Sequence, residues 1–93
     1  MPVALLEIDL HIPHAHSLKE KRMALRSVKE RLRKRFNVSV SELDHQELWQ
    51  RSQLGIASIG PDARYLEEQL HLALQEVERT LPDCTVSGRV QFL

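Results

Sequence analysis

A ferredoxin-like α+β sandwich, one four-stranded antiparallel sheet with two helices on one face, is the architecture this 93-residue sequence predicts. Three observations point to it. Hydrophobic periodicity alternates between the two-residue period of strands and the 3.6-residue period of helices in the order βαββαβ. Each helical segment carries a single apolar stripe, so both can cover the same side of a sheet. The length, finally, suits one domain over 1–93, with no linker, repeat or low-complexity run.

From Ala4, the residues Leu6, Ile8, Leu10 and Ile12 alternate with Leu5, Glu7, Asp9 and His11, as in a strand buried on one side, and Pro13 ends the run. Ser17 followed by Glu20 makes a capping box, so a helix starts at Leu18. Leu18, Leu25, Val28, Leu32 and Phe36 fall on one stripe of it, and Asn37, able to turn left-handed, closes it. Val38 and Val40 open a second strand, and Gln53 to Ile59 forms a third. Gly60-Pro61-Asp62 starts the second helix with proline in its first turn. Leu66, Leu70, Ala73, Val77 and Leu81 form its stripe, and Pro82 stops it. Val86, Val90 and Phe92 alternate with polar residues in a fourth strand. Phe36 and Phe92 belong to core faces, whereas Leu5, Glu7, Asp9, His11, Gly55, Ala57 and Arg89 line the open side of the sheet.

Composition excludes several classes. Hydrophobic residues at 42% and charged ones at 28% differ from disordered, collagenous or membrane chains. The apolar run at Val3–Leu10 is broken by Glu7 and Asp9, so no membrane partner is expected. One cysteine, Cys84, makes no intrachain disulfide, in keeping with a reducing cytoplasm. Nothing resembles a Walker loop, a nucleophile elbow or a spaced carboxylate pair, and the expectation is a non-enzymatic protein without cofactor. His11, His14 and His16 straddle a strand and a turn, a poor arrangement for three ligands to one ion, so no metal is assigned. A small-ligand or metal-binding regulatory domain is the weakest of the readings considered.

The motif blocks suggest a family. The run Leu10-His11-Ile12-Pro13-His14-Ala15-His16-Ser17-Leu18-Lys19-Glu20-Lys21-Arg22 is joined by Phe36-Asn37-Val38-Ser39-Val40 and Asp44-His45-Gln46-Glu47-Leu48-Trp49-Gln50-Arg51. Together they resemble the YlxP-like family of small bacterial proteins of unknown function, over nearly the whole chain. His14 stands where many relatives carry glycine, which implies a different turn before the first helix. The resemblance implies a ferredoxin-like fold, a bacterial cytoplasm, and genes beside transcription-elongation, translation-initiation and ribosome-maturation factors. It implies no established activity.

Charge patterning carries the functional expectation. Thirteen basic and thirteen acidic residues cancel globally, but residues 17–36 hold nine cations against Glu20 and Glu30, and residues 61–83 hold six acids against Arg64 and Arg79. On the first helix Arg22, Arg26, Lys29 and Arg33 recur at i, i+4, i+7 and i+11, with Lys19 nearby, as a row about 16 Å long at 1.5 Å per residue. Such a row suits successive phosphates, arginine's planar fork especially. These five residues are the expected nucleic-acid contacts, and the expected partner is ribosomal RNA or the ribosome. The ordinary alternative is a solvated helix face whose C-terminal cations oppose the helix dipole.

Lys21 falls inside the apolar stripe, where it either snorkels to water or takes an anion or a pairing with Asp44 or Glu47. Asp44, His45, Gln46, Trp49 and Arg51 form a candidate partner-binding segment, the alternative being a structural hairpin with Trp49 folded over the core edge. Tyr65 and Leu72 make a small apolar spot on the acidic second helix. A rival functional reading is a homodimer or protein-interaction module in which the basic helix of one chain meets the acidic helix of another.

Overall fold

A computed structural model describes residues 2–93. Its elements are β1 (Val3–His11), α1 (Leu18–Arg35), β2 (Ser39–Asp44), β3 (Arg51–Ile59), α2 (Ala63–Thr80) and β4 (Thr85–Phe92). The strands form one antiparallel sheet in the order β2-β3-β1-β4, so the two edges are β2 and β4. This is the ferredoxin-like sandwich expected from the periodicity.

Strand alternation builds the core. Ala4, Leu6, Ile8 and Leu10 of β1 and Leu54 and Ile56 of β3 are buried on the helix side. They meet Leu25, Val28 and Leu32 of α1 and Leu66, Leu70, Ala73 and Val77 of α2, the stripes read from the sequence. Gly88 lies on the same side of β4, where an added Cβ would stand 2.9 Å from Leu74 Cδ1, so the missing side chain lets α2 sit close. Ser17 caps α1, accepting from the Glu20 N–H at 3.1 Å, while the Glu20 carboxylate accepts from the His16 N–H at 2.6 Å.

Several local expectations are corrected. Helix α1 ends at Arg35 with Phe36 extended (φ −132°), and Asn37 has no left-handed conformation. The chain leaves α1 directly into extended backbone, which needs no αL residue. Pro61 precedes the helix rather than entering its first turn: Asp62 is the N-cap, its carboxylate accepting from the N–H groups of Arg64 and Tyr65. The third strand begins at Arg51, two residues early, because Arg51 and Ser52 pair with His11 and Leu10. Phe92 lies opposite Ala4 but remains 45% exposed, since it sits near the end of an edge strand. Among the described residues only His45 is a non-glycine with positive φ (66°), so the turn at His14 forms without the left-handed conformation that glycine favours.

Candidate nucleic-acid interface

The apolar stripe of α1 has two flanks, and they meet different neighbours. One flank carries Arg31 and Arg35, four residues apart and turned towards α2. Arg35 reaches Glu76 at 2.6 Å and Arg31 approaches it at 3.8 Å, while Arg79 of α2 stands 3.3 Å from the same carboxylate. Glu76, one of the six acids of residues 61–83, is buried, and three guanidinium groups compensate its desolvation. The signal was present in the arginine spacing on α1 and in a glutamate adjoining the stripe residue Val77.

The other flank carries Arg22, Arg26, Lys29 and Arg33. Arg22, Arg26 and Arg33 are exposed, Lys29 is half-buried, and none lies within 4.0 Å of a carboxylate among the described residues. Lys19 is likewise exposed and unpaired. Arg33 makes one long contact, 3.4 Å from Nη2 to the Val40 carbonyl on β2. The four ridge residues border a groove of about 440 Å³, together with Leu25, Glu30 and Glu42. The predicted row therefore exists as a contiguous surface whose cations form no ion pair among the described residues, with Glu30 the one exposed carboxylate beside it.

Glu42 does not neutralise it, because it is committed elsewhere. Val40 and Glu42 share the helix side of β2, opposite Ile56 and Leu54. Glu42 thus points inward to Lys21, which is only 1% exposed; the Nζ–Oε2 distance is 2.8 Å. The same oxygen accepts from the Ser52 hydroxyl at 2.7 Å, and Lys21 Nζ also donates to the His45 carbonyl at 2.5 Å. Lys21 therefore neither snorkels nor pairs with Asp44 or Glu47. The partner was missed because strand alternation continues past Val40 to place an acid on the core side. A β-bulge between Glu42 and Asp44 follows, and Leu43 leans over Gly55, where an added Cβ would stand 2.8 Å from its Cδ1.

The segment from Asp44 to Arg51 divides into anchors and an exposed tip. Asp44 accepts from the His45 N–H at 2.7 Å. The His45 carbonyl takes Lys21 Nζ and the Leu48 N–H. Gln50 Nε2 donates to the carbonyls of Pro13 and Ala15, and its own carbonyl accepts from the Ile12 N–H. Gln46 is exposed, Arg51 is exposed opposite His11, and Trp49 is 53% exposed beside exposed Leu48. Trp49 is not folded over the core edge.

On the open side of the sheet, Glu7 approaches Arg89 at 3.5 Å and accepts from Gln91 at 3.1 Å and, more weakly, from Gln53 at 3.5 Å. No aromatic ring is among the residues expected there, so the sheet offers no base-stacking platform of the kind RNA-recognition domains use. Among the described residues no group of three or more His, Cys, Asp and Glu is placed to hold a metal ion. Burial, and secondarily the Asp83 carboxylate, pushes the Cys84 thiol up, which disfavours the reactive thiolate. A second hollow, of about 480 Å³, lies near Asn37, Ser58 and Tyr65. Three of the polar side chains lining it are engaged: Arg35 with Glu76, Ser58 with the Asn37 carbonyl, Asp62 with its helix cap. No helix is long and apolar enough to cross a membrane among the described residues.

Residues 3–87 match the family described as "Protein of unknown function (DUF503)". The chain belongs to that family. It is 36% identical over 85 residues to the uncharacterised protein YlxP of Bacillus subtilis (strain 168), covering 85% of this chain and 92% of that one. The fold is similar to a de novo designed protein with a ferredoxin fold, at a TM-score of 0.64 and 14% identity, covering 98% of this chain and 86% of the design. It is also similar to a C-terminal segment of the alpha subunit of aIF2 from Pyrococcus abyssi, at a TM-score of 0.62 and 19% identity, covering 96% of this chain and 49% of that one. A dimeric ferredoxin-like protein from an uncultured marine organism matches at a TM-score of 0.57 and 7% identity, covering all of this chain and 96% of the other. These structural likenesses establish the fold.

Proposed function

We propose that this member of the DUF503 family is a small, non-enzymatic RNA-binding factor of the bacterial cytoplasm, partnered with ribosomal RNA or the ribosome. The observation that carries the reading is the ridge Arg22, Arg26, Lys29 and Arg33, free of carboxylate partners on a face bordering a groove. Unpaired cations in a row attract a polyanion by releasing its counterions, so binding is electrostatic, tolerant of sequence and steeply salt-dependent. The gene neighbourhood that the family resemblance implies, among translation and ribosome-maturation factors, supports the choice of RNA. The segment of the aIF2 alpha subunit adds a likeness of fold.

A filter-binding titration against ribosomal RNA at several salt concentrations tests the reading. Wild-type protein binds at low salt and releases as salt rises, and Arg26→Glu with Lys29→Glu abolishes the signal. Indifference of the wild type to RNA at low salt refutes it. A salt-dissociable dimer in sedimentation, with no RNA affinity, selects instead the interaction module in which basic and acidic helices of two copies meet.

A further inference from the structure

Trp49 is the sole tryptophan, and more than half of its surface faces water. Large aromatic side chains left exposed on a fixed backbone are features of binding surfaces. Both sides of Trp49 are tied down. On one side the His45 carbonyl holds Lys21 of α1, and on the other Gln50 clamps the Pro13 and Ala15 carbonyls just before that helix. The hairpin tip is thus fastened to the N-terminal end of α1, where Arg22 begins the ridge. A loop backbone held in place before its ligand arrives loses little freedom on binding.

Charge and ring are segregated along this surface. The ridge contains four cations and no aromatic ring, so it suits a phosphate backbone, and the only planes it offers a base are guanidinium groups that phosphate contacts would occupy. The hairpin tip has the opposite character: Leu48 and Trp49 sit beside Glu47, with the exposed Asp44 carboxylate at the base of the loop. Carboxylates repel phosphates, whereas the face of a neutral base is accepted by an indole. A single strand laid along α1 would find no aromatic ring over the whole ridge, whereas a double helix stacks its bases internally and presents only backbone.

We propose that the chain recognises a junction between paired and unpaired RNA, the α1 ridge holding phosphates of the helical part while Trp49 stacks on the first unpaired base beyond it. This rests on the phosphate-binding reading and specifies the kind of RNA. The single tryptophan reports directly on the stacking step.

The test titrates the full chain, by indole fluorescence and by filter binding at low salt, with three RNAs. They are a short blunt duplex, the same duplex with an unpaired purine overhang, and the overhang-bearing strand alone. The expected result is quenching of Trp49 by the overhang duplex, which binds about tenfold more tightly than the blunt one. Trp49→Ala removes that margin and leaves blunt-duplex affinity unchanged, and Trp49→Phe keeps part of it. Equal affinity for the two duplexes, or a single strand bound as tightly as the junction, overturns this inference and leaves the phosphate reading standing. Failure to bind any of the three overturns both.

Discussion

The two flanks of α1 carry the same kinds of side chain and meet opposite fates. Arg31 and Arg35 face the acidic helix α2 and share one buried carboxylate, Glu76. Arg22, Arg26, Lys29 and Arg33 face the β2 side, where the inward-pointing Glu42 is already taken by Lys21 and Ser52. A cation's availability is therefore decided by what the neighbouring element offers, not by the cation itself. The positive charge of α1 is spent on folding along one flank and left for a ligand along the other.

The largest expected effect concerns the cation that separates these roles. Lys21→Ala leaves the largely buried Glu42 carboxylate without its ammonium partner and the His45 carbonyl with only the Leu48 N–H, and should cost about 3 kcal/mol of unfolding free energy in urea melts. Lys21→Met with Glu42→Leu should recover most of that loss, because neither charge is then stranded. A Lys21→Ala protein as stable as wild type would break the distinction between spent and free cations at its clearest point.

Exchanging neutralisation between the flanks sharpens the contrast. Arg26→Gln with Lys29→Gln should lower RNA affinity about tenfold or more at low salt and reduce the salt slope by about one per lost phosphate contact, with stability changed by less than about 0.5 kcal/mol. Arg31→Gln with Arg35→Gln should do the reverse, costing about 1 kcal/mol because both guanidiniums are more than half exposed, while leaving affinity within about twofold. Equal loss of affinity in the two pairs would mean that overall charge, not the ridge, attracts the ligand. The smallest effect is at the start of the helix: Ser17→Ala removes the cap common to both flanks and should cost about 1 kcal/mol in thermal melts, with no change in salt slope.

Much of this molecule is legible from its amino acids. The order of elements, the capping box at Ser17 and the stripes of both helices follow from local periodicity and capping chemistry, which depend on residues a few positions apart. The ridge is equally legible, because its spacing lies within one helix. Less visible are the features that depend on two distant segments meeting. Lys21 and Glu42 each violate the apolar pattern at a core-facing position, yet only the pairing of β2 with β3 brings them together. Glu76 reads as one more surface acid until Arg31 and Arg35 are placed across from it. The end of α1 at Phe36, the position of Pro61 and the exposure of Phe92 were misread for a related reason: each depends on the direction of the departing chain or on cover at a sheet edge.

The sequence by itself determined the βαββαβ sandwich and the presence of a basic row on α1, because hydrophobic period and helical spacing are properties of contiguous residues. Only the tertiary structure decided which cations are neutralised and where Trp49 is held, because ion pairing and loop anchoring depend on distances between segments remote in the chain.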